Sequence, residues 1–134
     1  MNDEKITLDL VIDVQKDFFE EVSNDSEIHK LTGNRGCASE KLYQLCDTMV
    51  ASEYRSLIRP FLDISTLSSR LKAEECISTE YRMCDGSWHR MLFTVKKRDE
   101  SGNVTHVCKI REELRRFCIK LKLDKRHVKY DDEK

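Results

Sequence analysis

Cys84, Asp85 and His89 stand close enough in the chain to raise the question of an activated thiol, since a cysteine becomes nucleophilic when a neighbouring base takes its proton. The same residues have a simpler reading. Cys84-Asp85-Gly86-Ser87 carries the Asp-Gly signal of a tight hairpin turn, which accounts for Asp85 and Gly86 without chemistry. Glu20-Glu21 and Glu74-Glu75 are adjacent pairs, so their carboxylates point to different faces and cannot serve one substrate as acid and base. His29, His89, His106 and His127 could each ligate haem iron, but no partner motif accompanies any of them. The six cysteines (Cys37, Cys46, Cys76, Cys84, Cys108, Cys118) include no Cys-x-x-Cys pair, so spacing gives neither a zinc site nor a redox dithiol. Reduced, half-buried thiols are expected instead.

These groups must be positioned by a chain of 134 residues, the usual size of one domain with one core. Apolar residues make up 39% and charged residues 37%, which is polar for a globular protein but sufficient to fold. Lysine plus arginine (24) nearly balance aspartate plus glutamate (25), so no overall field draws nucleic acid or anionic lipid. The basic residues between Arg111 and Lys129 alternate with Glu112, Glu113 and Asp124 and lack interleaved aromatics, as on a solvated helix face. The first residues are polar and acidic, and no apolar run approaches membrane-spanning length, so a cytoplasmic setting without membrane insertion is expected.

Along the chain, Ile6, Leu8, Leu10, Ile12 and Val14 alternate with mostly polar residues, placing one apolar set on one face of a strand. After the polar break Gln15-Lys16-Asp17, the segment 18–23 can return as a second strand. Asn24, Asp25 or Ser26 can cap a short helical turn through Glu27, Ile28 and Leu31, ended by the loop Gly33-Asn34-Arg35-Gly36. Leu42, Leu45, Cys46, Met49 and Val50 then form one stripe of an α-helix. Ser52 can cap a short helix disturbed by Pro60, and Ser65 another holding Leu67 and Leu71. Three strands follow, 76–83, 88–97 and 104–110, joined by tight turns at Asp85-Gly86 and Ser101-Gly102. That is an antiparallel meander. From Arg111 onward, Leu114, Phe117, Cys118 and Leu121 fit an exit helix, and Tyr130 to Lys134 a loose tail.

The run Ile77-Ser78-Thr79-Glu80-Tyr81-Arg82-Met83-Cys84-Asp85-Gly86-Ser87-Trp88-His89-Arg90, followed by Arg98-Asp99-Glu100-Ser101-Gly102-Asn103-Val104, resembles the carboxy-terminal half of PAS domains in bacterial sensor proteins. Phe61 to Leu67 with Leu71 resembles the helix before that hairpin in PAS domains fused to diguanylate cyclases. The resemblance covers residues 60–110, and the earlier part only in the order of its elements. It implies an α+β fold: a five-stranded antiparallel sheet with several short helices on one face, a possible ligand cavity between them, and an exit helix that passes signals onward. The expected division is a sensor domain over 1–110 and an exit helix and tail over 111–134, leading to an output domain beyond the chain, a diguanylate cyclase first and a histidine kinase next. Where such domains place an Asp-Ile or Asp-Val pair before the exit helix, this chain has Lys109-Ile110-Arg111-Glu112-Glu113.

On this reading the module is a non-catalytic sensor and dimerisation domain with no named cofactor, and Tyr81, Met91 and Phe93 are the expected cavity walls. Gly33 to Cys37 is weakly similar to the flavin-adduct motif of light-sensing relatives, but a loop before a helix explains it without a cofactor. Trp88 and Leu92 project to the opposite sheet face from Met91 and Phe93, so a second copy or a terminal helix is expected to cover that face. The alternative is a small α+β enzyme with a cone-like cavity of the ketosteroid isomerase kind, which needs an Asp or Tyr in its pocket. Those folds place long helices before the strands, whereas this chain opens with a strand.

Overall fold

The alternation at the amino terminus forms β1, Lys5–Asp13, which returns through a turn into β2, Phe18–Val22. The computed structural model describes residues 5–22 and 31–114 of the chain. In the turn, the Asp13 carboxylate accepts the Gln15 and Lys16 backbone N–H groups at 3.1 and 3.0 Å. Asp17 takes the left-handed conformation, φ 53°, which aspartate tolerates better than most residues.

β3, Leu31–Cys37, corrects the expected loop at Gly33 to Gly36 and brings Leu31 out of the expected helical turn. It pairs antiparallel with β2, so the sheet has six strands rather than five, in the order β3-β2-β1-β6-β5-β4. Its glycines read as turn signals because they bring little β propensity of their own. The partner strand supplies what they lack. Gly36 lies opposite Phe19, with a Phe19 ring carbon 3.5 Å from where a Cβ would stand, and Asn34 donates to Glu21 at 2.6 Å. The rest of the expected turn, Asn24 to Ile28, lies outside the described residues.

The helical stripe becomes α1, Ala38–Met49, with Leu42 and Cys46 buried. Its first turn is capped from a distance. The Asp17 carboxylate accepts the Ser39 N–H at 2.8 Å, and the Asp17 carbonyl accepts that of Ala38 at 2.9 Å. After a 3₁₀ turn at Ser52–Tyr54, α2 is Arg55–Phe61, which ends one residue past Pro60. α3, Ile64–Arg70, is capped by Asp63 and not by Ser65, since the Asp63 carboxylate accepts the Ser65 N–H at 3.0 Å.

The meander is β4, Cys76–Arg82, β5, Trp88–Arg98, and β6, Val104–Glu113. Gly86 (φ 90°) and Gly102 (φ 87°) supply the left-handed turn positions. The side-chain and backbone bonds of Ser87 hold the Asp85 carboxyl below its usual range, and backbone bonds led by Asn103 do the same for Asp99. The exit helix does not begin at Arg111. Arg111 to Glu113 continue β6, because their charges meet partners across the sheet: Arg111 Nε lies 3.8 Å from Asp9, and Glu112 accepts from Arg90 at 2.8 Å. The boundary expected after Ile110 therefore falls inside a strand. Phe117, Cys118, Leu121 and the tail lie outside the described residues.

β1 joins the two halves by pairing with β6. A bulge between Leu8 and Leu10 breaks the single apolar face expected for β1. Leu10 and Ile12 face the core, whereas Ile6 is 60% exposed and Leu8 lies opposite Ile110. The helices cover one face of the sheet, where Leu42, Ile58, Leu62, Leu67 and Leu71 meet Leu10, Ile12, Phe93 and Val107. Phe93 is fully buried and stacks on Phe61 with centroids 5.4 Å apart. Phe93→Ala should lower unfolding free energy by about 3–5 kcal/mol, read from the midpoint of urea denaturation. A loss below about 1 kcal/mol would mean that this stack does not anchor helices to sheet.

Candidate functional site

The period of two puts Tyr81 of β4, Met91 of β5, and Lys109 and Arg111 of β6 on the core face, in rows that the register aligns: Tyr81 opposite His89, Met91 opposite Arg111, Phe93 opposite Lys109. α1 crosses above them. Between the two layers lies a cavity of about 300 Å³. Leu42, Cys46, Val50, Leu62, Met83 and Met91 contribute apolar wall, and Asp9, Glu21, Lys41, Lys109 and Arg111 contribute charge. This volume sits at the lower end of the range for small-molecule sites, which are mostly apolar with a few placed polar groups.

The charged side is organised by the β1 bulge. Asp9 turns toward Lys109, whose ammonium is 3.0 Å from its carboxylate, while Arg111 approaches the same oxygen at 3.8 Å. Lys109 is only 3% exposed, and a buried ammonium is costly unless paired, so the bulge and the pair belong together. Tyr81 is 2% exposed, and burial pushes its phenol up to about 12. It therefore remains a neutral donor throughout the physiological range. Among the described residues nothing hydrogen-bonds its hydroxyl.

Of the residues expected at the cavity wall, Tyr81 and Met91 line it, and Phe93 does not, being held in the core against Phe61. Trp88 and Leu92 lie on the opposite face. Trp88 meets Tyr54 edge-on at 5.7 Å and carries the Arg82 guanidinium over its ring, whereas Leu92 sits between Ser78 and Ile110. Between them Arg90 joins Glu80 and Glu112 at 2.8 Å each, a clamp across three strands.

The structure also resolves the other groups that could do chemistry. The Cys84 thiol turns to the Thr48 and Val50 carbonyls, 3.6 and 3.5 Å away, and not to His89. Asp85 accepts from Ser87, which stands between it and His89, an order unlike that of a nucleophile-base-carboxylate relay. His106 contacts Thr105 and Asp13. The described cysteines are free thiols, with Cys76 and Cys84 exposed rather than half-buried. Among the described residues no three His, Cys, Asp or Glu side chains are grouped to hold a metal. His29, His127 and Cys118 lie outside them.

Sequence reasoning missed Asp9, Lys109 and Arg111. A signal existed for two of them, since Lys109 and Arg111 share the strand parity of the buried Val107. Asp9 had none, because its position depends on a bulge.

The structure resembles, at TM-score 0.50 and 18% sequence identity, the crystal structure of the N-terminal domain of a diguanylate cyclase with PAS/PAC sensor from Marinobacter aquaeolei, covering 80% of this chain and 93% of that one. That likeness shows a PAS-like fold. No family model and no curated protein matches the chain. Among the described residues no helix is long and apolar enough to cross a membrane.

His89 is 4% exposed, and its Nδ1 has no hydrogen-bond partner among the described residues. Burial, then the nearby Arg111, holds its pKa below the usual 6.5. The unfolded chain thus takes up a proton at a higher pH than the fold does, so stability should be full above pH ~6.5 and fall as the pH drops toward the folded-state value. His89→Gln should flatten this decline in denaturation series between pH 7.5 and 5; an equally steep decline in the variant would remove His89 as its cause.

Proposed function

We propose that this chain is a non-catalytic sensory module whose cavity binds a small ligand and whose carboxy-terminal segment passes the change to a covalently linked output domain. The observation that carries the reading is the cavity between sheet and helices, with Tyr81, Met91 and Arg111 on its sheet wall, in a fold of PAS type. Arg111 supplies a physical route for relay. Arg111 lines the cavity, and its backbone belongs to the carboxy-terminal end of β6, which runs to Glu113. A ligand that binds one arrangement of this end better than another shifts the balance between them. Because the solved domain of similar fold belongs to a diguanylate cyclase, an output of that class is favoured over a histidine kinase.

The isomerase-like alternative gains one observation, that Asp9 and Tyr81 both line the cavity. Asp9 is nevertheless held in an ion pair by Lys109 at 3.0 Å, which points its carboxylate at the ammonium and not at a substrate. The strands β1 to β3 also precede α1, the reverse of the order that such enzymes follow.

Native mass spectrometry of the protein purified from cells should detect a bound small molecule, and its addition to stripped protein should raise the melting temperature. Leu45→Trp, which directs an indole into the cavity from α1, should abolish both effects with the circular dichroism unchanged. If no compound is retained and no screened compound distinguishes wild type from Leu45→Trp, the cavity is not a ligand site.

A further inference from the structure

Among the described residues the charged side of the cavity carries more cations than anions. Lys41, Lys109 and Arg111 line it against Asp9 and Glu21. Asp9 is shared, its nearer contact going to Lys109 at 3.0 Å, while Arg111 approaches it at 3.8 Å, beyond hydrogen-bond distance. Among the described residues Arg111 makes no hydrogen bond, so its guanidinium keeps donors to offer, in the planar fork that matches a carboxylate. Across the sheet, Tyr81 brings a hydroxyl that nothing among the described residues bonds, and Arg111 is near enough to act electrostatically on its phenol. The phenol lines the cavity and can donate to a ligand oxygen placed there. Beyond this corner the wall is apolar, from Leu42, Cys46, Met83 and Met91.

We infer that the cavity takes a small monocarboxylic acid, its carboxylate set between Arg111 and Tyr81 and its apolar body against Leu42, Cys46, Met83 and Met91. This rests on the reading of the cavity as a ligand site. At about 300 Å³, and with roughly 30 Å³ per small heavy-atom group by analogy with liquid water, the ligand has on the order of ten non-hydrogen atoms. An alkanoate of medium chain length has that size. A dicarboxylate fits poorly, because its second charge would lie against the thioether and alkyl wall.

The test is a headgroup series of one chain length, decanoate, decanol and decylamine, measured by calorimetry on the wild type, Arg111→Gln, Arg111→Lys and Tyr81→Phe. Decanoate should bind the wild type about ten- to a hundredfold more tightly than decanol, the worth of a charge-assisted pair, with decylamine weakest. Arg111→Gln should bring the decanoate-to-decanol affinity ratio down to about one, Arg111→Lys should restore part of that ratio, and Tyr81→Phe should lower it. Equal affinity for acid and alcohol, or a preference that survives Arg111→Gln, overturns the carboxylate assignment yet keeps the cavity as a ligand site. Failure of all three to bind also overturns it, and if Leu45→Trp then alters no retained compound, the cavity reading falls as well.

Discussion

A lysine ammonium on the covered face of a sheet is tolerable only with a counter-charge, and much of this structure follows from how Lys109 obtains one. Its partner Asp9 lies a hundred residues away in the chain. Every other pairing of neighbouring strands links segments that follow one another, β1 with β2, β2 with β3, β4 with β5 and β5 with β6. Only β1 with β6 closes the sheet across the helices, and the Asp9–Lys109 pair lies inside that seam. Removing Asp9 would strand the Lys109 ammonium in a site of low dielectric, which is far costlier than losing a surface pair.

The same pair shapes the cavity. To reach Lys109, β1 inserts an extra residue, and the bulge turns Ile6 and Leu8 away from the helices while Leu10 and Ile12 stay under them. Polar side chains then occupy ground on the core face that a regular strand would have given to apolar ones. α1 meets this ground with Leu42, Leu45 and Cys46, and an interface of charge against hydrocarbon cannot interdigitate as a pure core does. A void with one polar and one apolar end is the result. Where the wall is wholly apolar, as at Phe61 on Phe93, the layers close completely.

Most of the framework was legible in the chain because local signals carry it. The alternation of β4, β5 and β6, the Asp-Gly and Ser-Gly turns and the stripe of α1 all depend on neighbours in sequence. What was not legible depends on partners far away. β3 is a strand because Phe19 and β2 lie beside its glycines, and Arg111 to Glu113 extend β6 because Asp9 and Arg90 meet them. The start of α1 is capped by Asp17 and not by its own neighbours. The site divided in the same way: Tyr81 and Met91 followed from strand parity, whereas Asp9 needed a bulge, and Phe93 had the right parity but spent its face on Phe61.

The chain has four methionines, of which Met49, Met83 and Met91 line the cavity. Carbon-13 labelling of their methyl groups turns the site into its own reporter while small amphiphiles of either charge and none are titrated in. If the void is a ligand site, binders move the Met83 and Met91 signals in a saturable way. Binders that shift neither buried methyl would contradict the account.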